Sequence, residues 1–192
     1  SIESDTSDFF EQTNYADFRL YSETGFTEGN IEAVQDIDGV NAATRYLSVN
    51  VSLKDAKKSI ALNVSENYTV STMVIMDGAE YDRTSDGIWL SDKFAKANDI
   101  ALGDTLTFVY QGIEISGEVV GFVKSGENMI CVADANQLMP DYESFGFAYI
   151  TPEKLKSRLG VAFYPQINVI SDMEKADLEE VVKDAIGTTI LV

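Results

Sequence analysis

The residues best suited to chemistry lie in one short segment, "MPDYESFG", residues 139–146. Asp141 and Glu143 are two positions apart, and the aromatic residues Tyr142 and Phe145 flank them. Such a carboxylate pair can act in acid–base catalysis or hold a hard cation such as calcium. No third residue that could act as a ligand lies nearby in the sequence. The alternative to a binding or catalytic site is therefore that Asp141, Tyr142 and Glu143 form an acidic surface loop.

Two further segments resemble sites only in part. "DIDG" (36–39) is similar to the beginning of a calcium loop, but no glutamate follows at the required spacing, so we expect the end of a helix there. Trp89 is a candidate for stacking on a ligand, but it lies within an apolar run, which favours a place in the core. The glycine-containing segments lack a phosphate-loop lysine and a G-x-G-x-x-G pattern, so we do not expect nucleotide binding.

The composition excludes several classes of enzyme. The chain contains no histidine, which removes Ser–His and Cys–His nucleophilic pairs and histidine-based zinc sites. Its single cysteine, Cys131 in "NMICVAD", cannot form an internal disulfide and is predicted to be a buried thiol. We therefore predict no catalytic, cofactor-binding or metal-binding residue, and no cofactor.

The charge of the chain limits its partners. The sequence holds 14 Lys and Arg against 32 Asp and Glu, a net charge of −18, which argues against nucleic acid and against docking on anionic lipids. Its apolar runs fall well short of the roughly 20 residues needed to span a bilayer. Together with the abrupt ends of the chain, "SIESDTSDFFEQ" and "GTTILV", the short apolar runs lead us to expect a soluble piece excised from a larger protein.

Hydrophobic periodicity divides the chain into elements. Residues 1–16 are polar and suggest a stalk or linker. A strand at 17–23, a helix capped by Thr27 and ended by Asp38–Gly39, and a strand over "VNAATRYLSVNVSL" form a β-α-β unit. The tail returns to this alternation: strands at 146–151, 165–171 and 188–192 and helices that begin after Thr151 and after Ser171 or Asp172.

The middle of the chain is richer in strands. "KSIALNV", "STMVIM", residues 88–90 and "NMICVA" are strand candidates, and Ser91 is predicted to cap a short helix. Gly103–Asp104 reverses the chain, and Gln111–Gly112 joins two alternating strands into a hairpin. Gly117 and Gly121 on the return strand suggest bulges or bends. The fold class is therefore α+β, with α/β elements at both ends that can share one sheet and a β-rich insertion.

Several short motifs resemble the extracytoplasmic core domain of ABC-transporter permeases of the MacB and FtsX-like family. The resemblance rests on a strand, a helix, a Leu-Gly-Asp turn and a hairpin ending in Val-x-Gly, in "LSDKFAKANDIALGDTLTF" and "GEVVGFV". A helix that ends in Gly-Val and the segment "FGFAYITPEKL" extend it over most of residues 17–190. The family-motif residues are Gly39, Val40, Leu102, Gly103, Asp104 and Gly121.

The resemblance implies a porter-like α/β subdomain at 17–55 and 145–192 and an inserted, small barrel-like β-rich subdomain at 56–144. It also implies a place outside the bacterial cell membrane, as a domain of a multi-pass permease. The partners would be an ABC ATPase that works through the transmembrane part, a homodimer or heterodimer mate, and an extracellular protein, lipoprotein or peptide cargo. No residue of the domain would be catalytic.

A second hypothesis comes from a different class of protein. The acidic loop with Asp141, Tyr142 and Glu143 would then belong to a secreted binding module for calcium or a glycan. This hypothesis predicts a ligand-dependent rise in melting temperature. The permease hypothesis predicts instead transmembrane segments in the parent protein.

Overall fold

The structure is a computed structural model that describes residues 17–68, 73–125 and 141–187. Three sequence predictions lie outside these ranges: the polar stalk at 1–16, the strand and thiol around Cys131, and the last strand at 188–192. Within the described ranges the fold is α+β and dominated by strands, as predicted.

The described residues form nine strands and four helices. The strands are β1 (Phe18–Tyr21), β2 (Val40–Leu53), β3 (Ser59–Ser65), β4 (Met73–Gly78), β5 (Ile88–Ser91), β6 (Thr105–Tyr110), β7 (Ile113–Ser125), β8 (Phe145–Tyr149) and β9 (Gln166–Ser171). The helices are α1 (Glu28–Gln35), α2 (Asp92–Ala97), α3 (Pro152–Leu159) and α4 (Lys175–Ile186). None of these helices, in the part of the chain that the structure describes, is long and apolar enough to cross a membrane.

The chain divides into two compact units. Among the described residues, unit 1 contains 17–47, 65–68 and 163–187, and unit 2 contains 48–64, 73–125 and 141–162. The predicted subdomains differ from this division in three places: 48–55 and 145–162, predicted with the α/β elements, lie in unit 2, and 65–68, predicted in the insertion, lies in unit 1. Strand β2 continues from unit 1 into unit 2 within one uninterrupted run, and a periodic sequence pattern carries no mark of such a crossing.

Unit 1 is a three-stranded antiparallel sheet covered by helices. Strand β9 lies between β1 and β2 and is antiparallel to both, so β1 and β2 are parallel to each other and α1 connects them. This confirms the predicted β-α-β unit and adds a strand from the far end of the chain to its middle. The buried core contains Phe18, Leu20, Phe26, Ile31, Val34, Ala43, Ile167, Val169, Leu178 and Val182.

Unit 2 is built on a sheet in the order β3-β8-β5-β7-β4, with β6 paired to β7. The predicted β6–β7 hairpin is confirmed, because Gln111 and Gly112 have φ values of 48° and 81°, the left-handed pair that a tight hairpin turn requires. Strand β8 pairs in parallel with β3 and antiparallel with β5. Sequence reasoning had grouped β8 with the C-terminal α/β elements.

Glycines make room for aromatic rings in the core of unit 2. Trp89 is fully buried, as predicted, and a Cβ on Gly121 would lie 2.6 Å from its Cδ1. A Cβ on Gly146 would lie 2.6–2.8 Å from three atoms of Phe94. Such distances are shorter than van der Waals contact, so the sheet accepts these rings only because the facing residues have no side chain.

Two of the four predicted helix starts are confirmed. Thr27 caps α1, since its Oγ1 accepts a hydrogen bond from Asn30 N at 3.1 Å. Thr151 caps α3 in the same way by accepting from Lys154 N at 3.0 Å, with Pro152 in the first turn. Each threonine satisfies a backbone donor that the first turn of a helix leaves without a partner.

The other helix boundaries correct the sequence prediction. Helix α1 ends at Gln35 with Asp36 as its C-cap, and Gly39 (φ 100°) instead forms the turn into β2. Ser91 precedes α2 but forms no capping bond, because its Oγ accepts from Phe147 N at 3.1 Å in the sheet. Helix α4 begins after Glu174 rather than after Ser171 or Asp172. The Ser171 Oγ donates to Gly39 O at 2.6 Å.

Candidate interaction sites

The acidic loop that precedes β8 uses its first carboxylate internally. The Oδ1 atom of Asp141 accepts a hydrogen bond from Ser144 N at 3.1 Å, and the Asp141 carbonyl accepts from Phe145 N at 3.1 Å. Both bonds close a turn of the kind that aspartate favours. Asp141 therefore positions the beginning of β8.

The other two members of the loop lie beside lysines. Glu143 is within 3.5 Å of Lys58 Nζ, and its side chain is 72% exposed. Lys93 Nζ lies 4.9 Å from the centroid of the Tyr142 ring. Exposed pairs of this kind contribute little to stability. Among the residues the structure describes, no group of three His, Cys, Asp or Glu could hold a metal ion. A ligand role for this loop stays a prediction.

The residues of the family motif occupy turns and close approaches. Gly103 has a φ of 93°, and its N donates to Val119 O at 2.9 Å. Asp104 accepts from Ala101 N through Oδ2 at 2.9 Å and fixes the same turn. Gly39 has no room for a Cβ, which would lie 2.8 Å from Met173 Sδ. Val40 begins β2, Leu102 is exposed, and Gly121 faces Trp89. These contacts fix turns or allow close packing.

A partly buried ion pair in unit 1 was not predicted from the sequence. Arg45 donates two hydrogen bonds to Glu66, from Nε at 2.7 Å and from Nη2 at 2.8 Å. Its Nη1 donates to Phe26 O at 3.1 Å, and its guanidinium lies 4.6 Å from the ring centroid of Tyr164. The hydrogen bonds with Glu66 raise the pKa of Arg45 although burial opposes the charge. A bidentate pair of this geometry is well suited to fixing segments of chain.

Unit 2 buries a lysine in a different way. The side chain of Lys154 is 2% exposed, and its Nζ donates to Ser116 O at 2.6 Å and to Asp86 Oδ1 at 3.1 Å. Its carboxylate partner is 85% exposed. A Cβ on Gly117 would lie 3.0 Å from this Nζ, so the glycine leaves the space that the ammonium group fills.

Comparison with known proteins supports the fold. No protein-family profile matches the sequence, and no curated protein matches it. The extracellular domain of the noncanonic ABC-type transporter YknZ from Gram-positive bacteria has a similar structure, with a TM-score of 0.60 and 17% identity. The similarity covers 90% of this chain and 95% of that domain.

A second solved structure has a similar fold. The periplasmic region of MacB from Actinobacillus actinomycetemcomitans has a TM-score of 0.51 and 13% identity, over 86% of this chain and 80% of that one. At sequence identities this low, the similarity shows a shared fold alone. The resemblance found in the sequence is confirmed at that level: the chain has the fold of the extracellular and periplasmic domains of ABC-type transporter permeases.

Proposed function

We propose that the chain is the extracytoplasmic domain of a bacterial ABC transporter permease of the MacB and FtsX-like kind. The observation that carries this proposal is the fold shared with the YknZ extracellular domain over 90% of this chain and 95% of that domain. In this proposal unit 1 is the porter-like α/β subdomain, and unit 2 is the inserted, small barrel-like subdomain.

The domain would act by binding and by transmitting force rather than by catalysis. ATP would be hydrolysed by a separate cytoplasmic subunit, bound through the transmembrane part of the permease. The domain would face a homodimer or heterodimer mate and an extracytoplasmic peptide, lipoprotein or protein partner. The net charge of −18 argues against nucleic acid as a partner.

The connectivity of the chain supports a mechanical role. The backbone passes from one unit to the other at 47/48, at 64/65, between residues 68 and 73, and at 162/163. A displacement imposed on unit 1 therefore enters unit 2 through covalent bonds at four positions, one of them inside β2. Unit 1 fixes its own segments with the Arg45–Glu66 pair, which joins β2 to the segment that follows β3.

The structure does not favour the alternative of a calcium or glycan module. Asp141 is engaged in a turn, and Glu143 lies beside Lys58. A thermal-shift titration with calcium tests this alternative directly. A concentration-dependent rise in melting temperature that Asp141→Asn abolishes would revive it.

The test of the proposal is the composition of the parent complex. Purified from detergent-solubilised membranes, the parent protein should carry an ABC ATPase subunit and hydrolyse ATP, while the chain of residues 1–192 alone should not. Deleting residues 17–187 from the parent should leave the ATPase subunit bound, since that contact is assigned to the membrane part. A parent without an associated ATPase, or loss of the ATPase on this deletion, would contradict the proposal.

A further inference from the structure

Strand β4 lies at the edge of the sheet in unit 2. Within the described part of the chain it pairs with β7 alone, from Met73 opposite Ser125 to Gly78 opposite Gly121. Its other edge therefore presents backbone N–H and C=O groups that no described strand takes up. An edge of this kind is a template for an added strand, and proteins use it to bind extended peptides.

Two of the three exposed side chains of β4 are apolar, which is unusual for a strand at the edge of a sheet. Val74 is 45% exposed and Met76 is 53% exposed. Charged residues and prolines are the ordinary protection of an edge strand. On the neighbouring strand β7, Lys124 is paired with Val74, and the partly buried Phe122 is paired with Asp77. The edge thus combines backbone groups that no described strand takes up with two accessible apolar side chains.

The geometry of β4 limits what can pair with it. The register with β7 shifts between Ile75 and Asp77, so Met76 lies at a bulge. A bulge interrupts the regular ladder, and this shortens the stretch that a second strand can follow. Pairing with a second copy would also bring together two chains of net charge −18. Both features favour a short peptide of different charge over self-association.

Acidic residues continue from the end of β4. Asp77, Glu80 and Asp82 are exposed, and none of them forms an ion pair with another described residue. Asp82 accepts hydrogen bonds from the backbone N and the Oγ1 of Thr84, which lower the pKa of its carboxyl group. An occupant of the edge that carried Lys or Arg would place positive charge beside these three carboxylates.

We propose that the outer edge of β4 binds an extended peptide segment in which apolar and basic residues alternate. The segment adds a strand to β4, sets apolar side chains against Val74 and Met76, and sets its basic side chains near Asp77, Glu80 and Asp82. This inference goes beyond the proposed function and does not depend on it, since the edge belongs to this chain whatever protein carries it.

The experiment uses the 192-residue chain and a fluorescent peptide of about eight alternating Val and Lys residues, roughly the length of one strand. Fluorescence anisotropy should show saturable binding to the wild-type chain. The Met76→Lys variant should bind at least about tenfold more weakly, because it loses an apolar contact and gains a positive charge that repels the basic peptide. Ile113→Lys makes the same change of charge at an apolar residue of similar size, 38% exposed on another strand, and should bind as the wild type does.

Two controls separate strand addition from attraction to an acidic protein. A peptide of the same charge with proline at alternate positions cannot donate to the ladder and should bind weakly. The triple variant Asp77→Asn, Glu80→Gln, Asp82→Asn should lose affinity, whereas Glu32→Gln, Asp38→Asn, Asp172→Asn, with the same change of charge, should keep it. Amide exchange in β4 should slow when the peptide binds.

Several results would overturn the inference. They are the absence of binding, equal binding of the proline peptide, and equal losses in the two triple variants. Sedimentation that shows the chain dimerising, with Met76→Lys abolishing the dimer, would assign the edge to a second copy instead. All variants are first checked for a wild-type melting temperature, and Val74→Lys serves as a second edge variant if Met76→Lys is unstable.

Discussion

The two units fill their cores by opposite means. Unit 1 packs α1 and α4 on one face of a three-stranded sheet, and its core is mostly aliphatic with Phe18 and Phe26. Unit 2 buries Trp89, Phe94, Phe108 and Tyr149 in or against strands. In the core of unit 1 side chains meet side chains, whereas in the core of unit 2 the rings of Trp89 and Phe94 lie against strand backbone at Gly121 and Gly146. The ring that lies against a glycine in unit 1, Phe163 at Gly25, is 43% exposed and lies outside the core.

The difference shows how each unit tolerates change. A core of Leu, Ile and Val between helices and a sheet can repack when one residue is altered. A ring seated over a glycine has a neighbour that cannot move away, because that neighbour is the backbone of a strand. Unit 2 should therefore depend on a few pairs of residues, and unit 1 on the sum of many contacts.

Removing the largest ring should have the largest effect. Trp89→Ala takes away a fully buried indole, its 2.9 Å hydrogen bond to Ala79 O and its contact with Tyr81, and should cost about 3–5 kcal/mol of unfolding free energy. Leu178→Ala in unit 1 removes an equally buried side chain and should cost about 2–4 kcal/mol. Urea denaturation followed by circular dichroism measures both. A larger loss for Leu178→Ala would break the comparison.

The ion pair of unit 1 should come next in magnitude. Arg45→Met leaves Glu66 without its bidentate partner and should cost about 2–3 kcal/mol, less than a fully buried pair because the Glu66 side chain is 25% exposed. Arg45→Lys keeps the charge but loses the paired geometry and should lie between Arg45→Met and wild type. Melting curves at neutral pH compare the three proteins. Equal stability of Arg45→Met and wild type would show that the pair contributes nothing net.

Filling the space beneath Trp89 tests the role of the glycines in unit 2. Gly121→Ala puts a methyl group 2.6 Å from Trp89 Cδ1 and should cost about 1–3 kcal/mol. Gly112→Ala is the matched control, since its Cβ meets nothing within 4 Å and only its φ of 81° is unfavourable. That substitution should cost about 1 kcal/mol, for backbone strain alone. Equal losses would mean that the close approach to Trp89 is not what selects glycine.

The smallest expected effects are on the pH dependence of stability, and they have opposite signs in the two units. Burial raises the pKa of Glu179 in unit 1, although Lys183 and Lys175 oppose the shift. This carboxyl group binds its proton more tightly in the folded state, so its contribution to stability falls as the pH rises above the unfolded pKa of about 4. Glu179→Gln should therefore raise the melting temperature at pH 7 and change nothing at pH 3.

Asp82 in unit 2 behaves in the opposite sense. Its hydrogen bonds from the backbone N and then the side chain of Thr84 lower the pKa of the carboxyl group. The resulting stability is present above the unfolded pKa of about 4 and is lost as the pH falls through the folded value. Asp82→Asn should lower the melting temperature slightly at pH 7 and leave it unchanged in acid. Melting curves of both variants from pH 3 to 8 would refute the assignment if their differences from wild type had the same sign.

Periodicity and turn chemistry predicted much of this fold. The strand over 40–53, the hairpin at Gln111–Gly112 and the helix starts at Thr27 and Thr151 are local features, and local chemistry specifies them. Ser91 was mistaken for a cap because the partner of its hydroxyl, Phe147 N, lies 56 positions away in the sequence. Long-range pairing is invisible to a search for local patterns.

The sites were harder to predict than the elements. Sequence reasoning singled out Asp141 and Glu143 because two carboxylates stand close together, but the structure engages Asp141 in a turn. It missed the partners Arg45 and Glu66, which are 21 positions apart and lie on different segments of unit 1. It predicted bulges or bends at the glycines of β7, and the β5–β7 register does shift between Val119 and Gly121, but it did not predict that Gly117 and Gly121 make room for Lys154 and Trp89. Each miss concerns a contact between residues distant in sequence.

The central claim, that this domain lies outside the cell membrane as part of a permease, is tested most directly by labelling cysteines in intact cells. In the parent protein, with Cys131→Ser as background, Lys57→Cys places a thiol at an exposed position, and Ala148→Cys places one at a fully buried position. We predict that a membrane-impermeant maleimide labels Lys57→Cys in intact cells and labels Ala148→Cys only after denaturation. Labelling of Lys57→Cys only after the cells are permeabilised would contradict the account.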